Sequence, residues 1–333
     1  MSYTNGLDNP EEHFNVVLFT GDGSNNRSIT VGFQPDITWV KQYTDASGGY
    51  LVDSVRGNNS AIQTTNTNAQ GTFANMTFET NGITVSGNEN LNNEASHNYV
   101  SWHWKKSSTS GIDVVQYTGN GSANRSISHS LGTEPDFIIT KIVSESMNWP
   151  MYSKASGNGV AFLDINDAWT DHSSYLNYWY ISGMGSSTFG VGDNDNTNKN
   201  TATVISYLFS NRQGFSRAGV YTGNGSSSAG QFCFTGFKPA FVLIKKKSGS
   251  NAGMIADNER LKPFNPIFAR IMPPETTNHS TGQHWINFFS NGFQTKDDSG
   301  ENTAWNQSGQ TYMYLAFAES PFVNSKGVPN NAR

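Results

Sequence analysis

Cysteine is nearly missing from this chain: Cys233 stands alone in 333 residues. A single cysteine excludes an intrachain disulfide framework and a thiolate-bound metal cluster, and fits folding in a reducing cytoplasm. In the strand-like run Gln-Phe-Cys-Phe-Thr-Gly-Phe, Cys233 reads as a small buried apolar residue. Charge is scarce as well. Only 14% of residues are charged, against roughly 25% in an average soluble domain. The formal net charge of −5 carries no basic stripe, which excludes the electrostatic footprint of a nucleic-acid binder. No run approaches the roughly 18 apolar residues of a spanning helix, so no membrane insertion is expected. The opening residues, MSYTNGLDNPEEHF, lack the basic and apolar regions of a secretion signal. Series of Leu, Glu, Lys and Ala are also missing, which excludes a helical bundle.

What is present is a polar, turn-forming composition rich in Asn, Ser, Thr and Gly, with 33 glycines. Aromatics reach 13%, enough to argue for packed cores rather than disorder. The residues are organised as a threefold repeat. VVLFTGDGSNNRSITVGFQPDITWVK (residues 16–41), VVQYTGNGSANRSISHSLGTEPDFIITK (114–141) and AGVYTGNGSSSAGQFCFTGFKPAFVLIK (218–245) share one plan. An aromatic residue precedes Thr-Gly-Asn/Asp-Gly-Ser; a short alternating run, Gly-x-x-Pro, an apolar run and Lys follow. Thr20, Thr118 and Thr222 open the motif, a period of about 100 residues. Each unit also closes alike, with an Asn/Asp-rich loop and then an aromatic-studded strand.

Within a unit the pattern is all-β. Asp22-Gly23, Asn120-Gly121 and Asn224-Gly225 between apolar runs predict type I′ turns, in which both central residues have positive φ. Pro35, Pro135 and Pro239 sit just before apolar runs, where a missing N–H does least harm to a strand ladder. We therefore expect three tandem antiparallel β-sandwiches of about 100 residues, each large enough to hold its own core. The expected boundaries are an N-terminal arm (1–13), repeats at 14–106, 112–211 and 217–320, and a C-terminal tail (321–333).

The TGNGS turn, the Gly-x-x-Pro-Asp-Phe-like strand start and the closing strand YVSWHWK resemble a lectin-like domain common in tailed-bacteriophage virion proteins. That domain is placed with the concanavalin A-like and SPRY-like jelly rolls. Both ends of the chain also resemble those of such proteins, especially from marine phages. The resemblance runs from about residue 14 onward. It implies jelly-roll, lectin-like repeats in a non-enzymatic protein of the virion surface, made in the host cytoplasm. Its implied partners are other virion proteins and a host-surface or environmental glycan. A homo-oligomer, with a trimer favoured, and no cofactor complete the expectation. The second repeat departs most, since it lacks a counterpart to Asp53-Ser54-Val55-Arg56-Gly57.

Enzymatic constellations are missing. Ser128-His129-Ser130-Leu131-Gly132 lacks the first Gly of a nucleophile elbow, and no His-Glu-x-x-His, Walker or Gly-x-Gly-x-x-Gly context occurs. Glycan recognition needs aromatic faces beside amide, hydroxyl and carboxylate groups. Asp167, Trp169, Asp171, His172, Tyr175, Tyr178 and Trp179 offer that mixture, with packing inside the sandwich or at a subunit contact as the alternative. His279, His284 and Trp285 form a second candidate cluster. Asp193 and Asp195 alternate as calcium ligands do, although the Gly and Glu of an EF-hand are replaced by Asn198 and Val204. A solvated Asx-rich loop is the plainer reading. Trp102 and Trp104 share a strand face that should be core, with Tyr207 and Phe209, and Tyr314 and Phe317, as counterparts. Arg27 and Arg125 are expected to pair with Asp36 and Asp136.

Two further function classes compete with the glycan binder. One is a capsid-decoration or tail-assembly protein. The other is a glycan depolymerase, which would need two carboxylates roughly 5 to 9.5 Å apart, and no sequence pair marks them.

Overall fold

A computed structural model describes residues 6–7, 9–45, 47–72, 75–87, 92–171, 177–247, 253–260, 286–296, 305–319, 322–323 and 329–330. The protein is all-β, built of antiparallel sheets. In the first repeat the strands are β1 (Phe14–Thr20), β2 (Arg27–Thr30), β3 (Ile37–Gln42), β4 (Gly49–Asp53), β5 (Ile62–Gln63), β6 (Met76–Glu79), β7 (Gly82–Val85) and β8 (Asn98–Trp104). The second contributes β9 (Ile112–Thr118), β10 (Arg125–Ser128), β11 (Phe137–Ile142), β12 (Pro150–Ser153), β13 (Gly159–Phe162), β14 (Thr170–Asp171), β15 (Thr188–Val191) and β16 (Thr203–Phe209). From the third come β17 (Ser216–Thr222), β18 (Phe232–Phe234), β19 (Pro239–Lys246), β20 (Met254–Asp257), β21 (Ile286–Phe289), β22 (Gly292–Thr295) and β23 (Thr311–Ala318).

Each repeat forms a large and a small sheet from its own strands. The large sheets run β1-β8-β3-β4-β5, β14-β13-β12-β11-β16-β9 and β17-β23-β19-β20. The small ones run β2-β7-β6, β10-β15 and β18-β22-β21. The central strands β3, β11 and β19 are buried along their whole length, so both faces of each large sheet are covered. Alternation sorts the two faces. Val40, Ile138 and Val242 point into the sandwich of their own repeat. Ile37, Trp39, Ile139 and Leu243 point the other way, into one cluster shared by all three repeats.

At the middle of this shared core stand Trp104, Phe209 and Phe317, equivalent because they pair with Ile37, Phe137 and Phe241. Their ring centroids form a triangle with sides of 6.5, 5.7 and 5.7 Å. The expectation of three self-contained cores therefore needs correction. Period-two patterning shows that a strand has two buried faces, but not which neighbour covers the second. The register also replaces one counterpart: Leu315, not Tyr314, matches Trp102 and Tyr207.

Next along the same strand faces come Lys41, Lys141 and Lys245, all buried at one end of the shared core. Their ammonium groups donate to main-chain carbonyls of Ser47, of Thr67 and Met147, and of Ile165, respectively. Burial lowers the pKa of Lys141 and of Lys245 to about 8, with Asp164 pulling in the opposite direction for both. Carbonyl oxygens replace the lost water, so these amines remain hydrogen-bonded.

The Thr-Gly-Asn/Asp-Gly-Ser turns are not the expected type I′ turns. Only Gly23, Gly121 and Gly225 have positive φ, at 70°, 66° and 70°. Asp22, Asn120 and Asn224 instead form Asx turns, their Oδ1 accepting the N–H of Ser24, Ser122 and Ser226. A fully buried asparagine from the closing loop clamps each turn: Asn93, Asn198 or Asn306. Asn198 shows the pattern in full. Its Oδ1 accepts from the Asn120 N–H and from Arg125 Nη1, and its Nδ2 donates to Asn120 Oδ1, Ser122 O and Gly192 O. The Asn-rich loop thus carries a structural asparagine in every repeat.

Arg27 and Arg125 also belong to these turns, which corrects their expected pairing. Arg27 donates to Thr20 O and Arg125 to Thr118 O, and their guanidinium groups lie 5.6 and 5.5 Å from the Phe19 and Tyr117 ring centroids. Asp36 and Asp136 have other work. They accept the N–H groups of Lys106 and Asn211, holding the segments that leave the first and second repeats.

Candidate functional site

The aromatics singled out in the second repeat are largely interior. Trp169 belongs to the shared core; its Nε1 donates to Asp171 Oδ1 at 2.8 Å, and Lys247 Nζ lies 5.0 Å from its ring centroid. Tyr178 and Trp179 fill the second repeat's own sandwich, against Phe162 and Tyr152. None of these three offers a free ring face for sugar stacking. Asp167 and Asp171 are exposed. His172 and Tyr175, like His279, His284 and Trp285, lie outside the described residues.

Asp193 and Asp195 are both exposed. Asp193 Oδ1 accepts from Asn177 Nδ2 at 3.0 Å, and Asp195 begins a single helical turn (Asp195–Asn198) capped by Asn194. Among the described residues no group of three or more His, Cys, Asp or Glu side chains could hold a metal ion.

A different site emerges when equivalent positions of the three repeats are compared through strand register. Gly219 of β17 faces Tyr314 of β23, where the other repeats pair Val17 with Ser101 and Val115 with Ser206. Bulk has moved from one strand to the other. A Cβ on Gly219 would come within 2.7 Å of the Tyr314 hydroxyl, so only glycine admits this ring. On the small sheet, Phe232 and Phe234 replace Ser28 and Thr30 of β2 and Ser126 and Ser128 of β10. Phe289 stands where β6 has Glu79. Water-facing hydroxyl and carboxylate groups have thus become phenylalanines in the third repeat alone.

These phenylalanines remain exposed: Phe234 by 64%, and Phe232 and Phe289 by 39% each. Phe232 and Phe289 meet edge to face, with centroids 5.9 Å apart. Beside them a groove of about 730 Å³ runs between edge strands β17 and β18, bounded on the far side by Asp136, Lys154, Ala155 and Asn211 of the second repeat. Arg217, Gly219, Val220, Gln231, Phe232, Phe234 and Tyr314 line the near side. Its volume lies within the range of about 300–1,000 Å³ usual for small-molecule sites.

The groove owes its opening to lost lacing between the sheets. In the first two repeats, Asn15 Nδ2 donates to Val31 O, and Asp113 accepts from the Ser130 N–H and hydroxyl. Arg27 and Arg125 add a second tie. The third repeat has Arg217 and Gln231 at these two positions, and neither tie forms among the described residues.

A model described as a domain of unknown function (DUF7483) matches residues 9–321. The chain belongs to that family. One DUF7483 match spans all three repeats, in keeping with their shared core. No curated protein and no solved structure matches the chain.

The groove of this DUF7483 protein is lined by titratable and aromatic side chains. Cys233 lies beneath it, and burial raises the thiol pKa, which removes the thiolate a nucleophile needs. The Tyr314 phenol is likewise raised by burial, with Arg217 pulling it down. Lys154 is tied to Glu134 at 2.8 Å. What remains is aromatic surface beside amide, hydroxyl and guanidinium groups. Sequence reasoning missed it because it places only Cys233 of this strand-like run, as a buried residue, and the run by itself does not show what covers the opposite face, where Phe232 and Phe234 lie. Aligning the repeats at Cys233, Ile29 and Ile127 would have exposed the Ser-to-Phe exchange.

Proposed function

We propose that the protein is a non-enzymatic surface protein of a tailed-phage virion that binds host or environmental glycans, acting without a cofactor. The virion assignment rests on the resemblance of the TGNGS repeats and closing strands to phage lectin-like domains. The same resemblance underlies reading the three repeats as jelly-roll lectin units. One observation carries the binding reading: the groove between β17 and β18, with Phe234 exposed at its rim. Flat aromatic surface covers the C–H face of a sugar, while Asn211, Gln231 and Tyr314 offer polar partners. Many copies on a particle would raise apparent affinity by about 10² to 10⁴ through avidity.

A glycan array probed with the full chain and with Phe234→Ala tests this reading. The expected result is a set of bound glycans that the variant no longer retains. Absence of glycan binding, together with binding to empty capsids, would favour the decoration reading. A specific observation supports that alternative: the Phe232–Phe289 pair is an exposed apolar patch of the kind that packs against a neighbouring subunit. Under it, the protein assembles through this patch, and Phe289→Glu would block the assembly.

A further inference from the structure

The charge lining the groove narrows the ligand. Arg217 pairs with Ala316, the position matched by His103 for Asn15 and by Leu208 for Asp113. In the first two repeats this position carries a short side chain turned inward to tie a loop. The third repeat places a long, exposed guanidinium there, directed into the groove.

The charges on the far side of the groove, Lys154 and Asp136, are opposite in sign and attract one another. Lys154 is held by Glu134 at 2.8 Å, and Asp136 Oδ2 accepts the Asn211 N–H at 2.8 Å. Among the described residues Arg217 forms no ion pair; it hydrogen-bonds the Tyr314 phenol, which leaves its other N–H groups for a ligand. A guanidinium left open beside two phenylalanines presents a planar fork for an oxyanion next to a surface for an apolar ring face.

We infer that the groove takes an acidic glycan, with a sugar carboxylate on Arg217 and the ring's C–H face against Phe232 and Phe234. This rests on the groove being the glycan site proposed above. Neutral sugars would use the stacking surface alone, and a bare anion would use Arg217 alone. An acidic sugar such as a uronate uses both at once.

Calorimetric titration of the full chain with oligogalacturonate, oligoglucuronate and oligomannuronate, each as free acid and methyl ester, tests the inference. At least one acid should bind, about tenfold more tightly than its ester. Arg217→Gln should weaken acid binding about tenfold and bring the preference for acid over ester close to unity. Phe234→Ala should weaken both forms, and far-ultraviolet circular dichroism should confirm that each variant stays folded. Equal binding of acid and ester, or acid binding indifferent to Arg217→Gln, overturns the inference. A neutral glycan bound in a Phe234-dependent way, with no uronate bound, overturns the inference but leaves the glycan reading standing. Absence of binding to acidic and neutral glycans alike removes both.

Discussion

The Tyr207 hydroxyl of the second repeat donates to Asp53 Oδ2 of the first at 2.7 Å. Arg56 closes the arrangement, with its Nε 2.6 Å from the same carboxylate oxygen and its Nη2 donating to the Tyr207 hydroxyl. The third repeat meets the first in the same way: Asp257 pairs with Arg260 and accepts from Trp102 Nε1. Trp102 and Tyr207 are equivalent by register, and so are the two ion pairs. The second repeat has Ser153 and Ser156 at the ion-pair positions, and the third has Leu315, without a polar atom, in place of the aromatic donor. A buried carboxylate–guanidinium pair thus occurs where the neighbouring repeat supplies a donor. A spare lone pair in a dry interface is costly, so pair and donor go together.

Tyr207→Phe should lower stability by about 1–3 kcal/mol, because Asp53 loses a buried donor. Arg56→Met should cost more, about 3–5 kcal/mol, because it strands the Asp53 carboxylate. Urea unfolding of both single variants and the double variant checks this. Strict additivity in the double variant would contradict a shared network.

Asn198→Ala should destabilise by at least about 1–3 kcal/mol, since the Asn120 N–H and two carbonyls lose their buried partner. Asn198→Asp should be worse, as it sets an oxygen against the carbonyls of Ser122 and Gly192. Guanidinium unfolding monitored by tryptophan fluorescence measures both. An Asp variant as stable as the parent would refute the clamp.

Acid should weaken the protein through His103, which is fully buried between Thr38 Oγ1 at 3.0 Å and Ser101 Oγ at 2.8 Å. Burial lowers its pKa to about 3. Between about pH 6.5 and 3 the unfolded chain binds a proton that the native imidazole refuses, so stability falls as pH falls. In His103→Leu, which carries the residue of the matching second-repeat position, this contribution to the slope should vanish, while those of His13 and His129, also lowered by burial, persist. Melting temperatures at pH 7 and pH 5 should therefore differ less in the variant than in the parent. The lysines act in another window. Lys141 and Lys245, with pKa lowered to about 8, favour folding increasingly as pH rises from about 8 toward 10, because only the unfolded chain keeps those protons.

Gly219→Val imports the residue found at Val17 and Val115 and drives it into Tyr314, at a cost of about 1–3 kcal/mol. Adding Tyr314→Ser restores the Val/Ser pair of the other repeats and should recover most of that loss. The double variant should still bind glycan more weakly than the parent, because the phenol is gone from the groove while Arg217, Phe232 and Phe234 remain. Thermal unfolding together with glycan titration separates the two effects.

Much of the fold was legible in the residues. Local chemistry placed the strands at ITWVK, FIITK and FVLIK, the turns at each Gly-containing motif, the buried Cys233 and the core face of Trp102 and Trp104. Steric limits on φ and the two-residue alternation of a strand act over a few neighbours, so a linear pattern records them. The candidate site was not legible in that way. Whether Trp169 faces water or the shared core depends on chain far from it, including Lys247. Phe232 and Phe234 carry the composition of a core strand, yet among the described residues no second sheet covers their outer face, and they stand exposed. Trp104, Phe209 and Phe317 meet because the large sheets of the three repeats pack on one shared core. Burial of a second strand face is a property of the packed assembly of sheets, set by register and by which edges remain untied, and only folding in three dimensions resolves it.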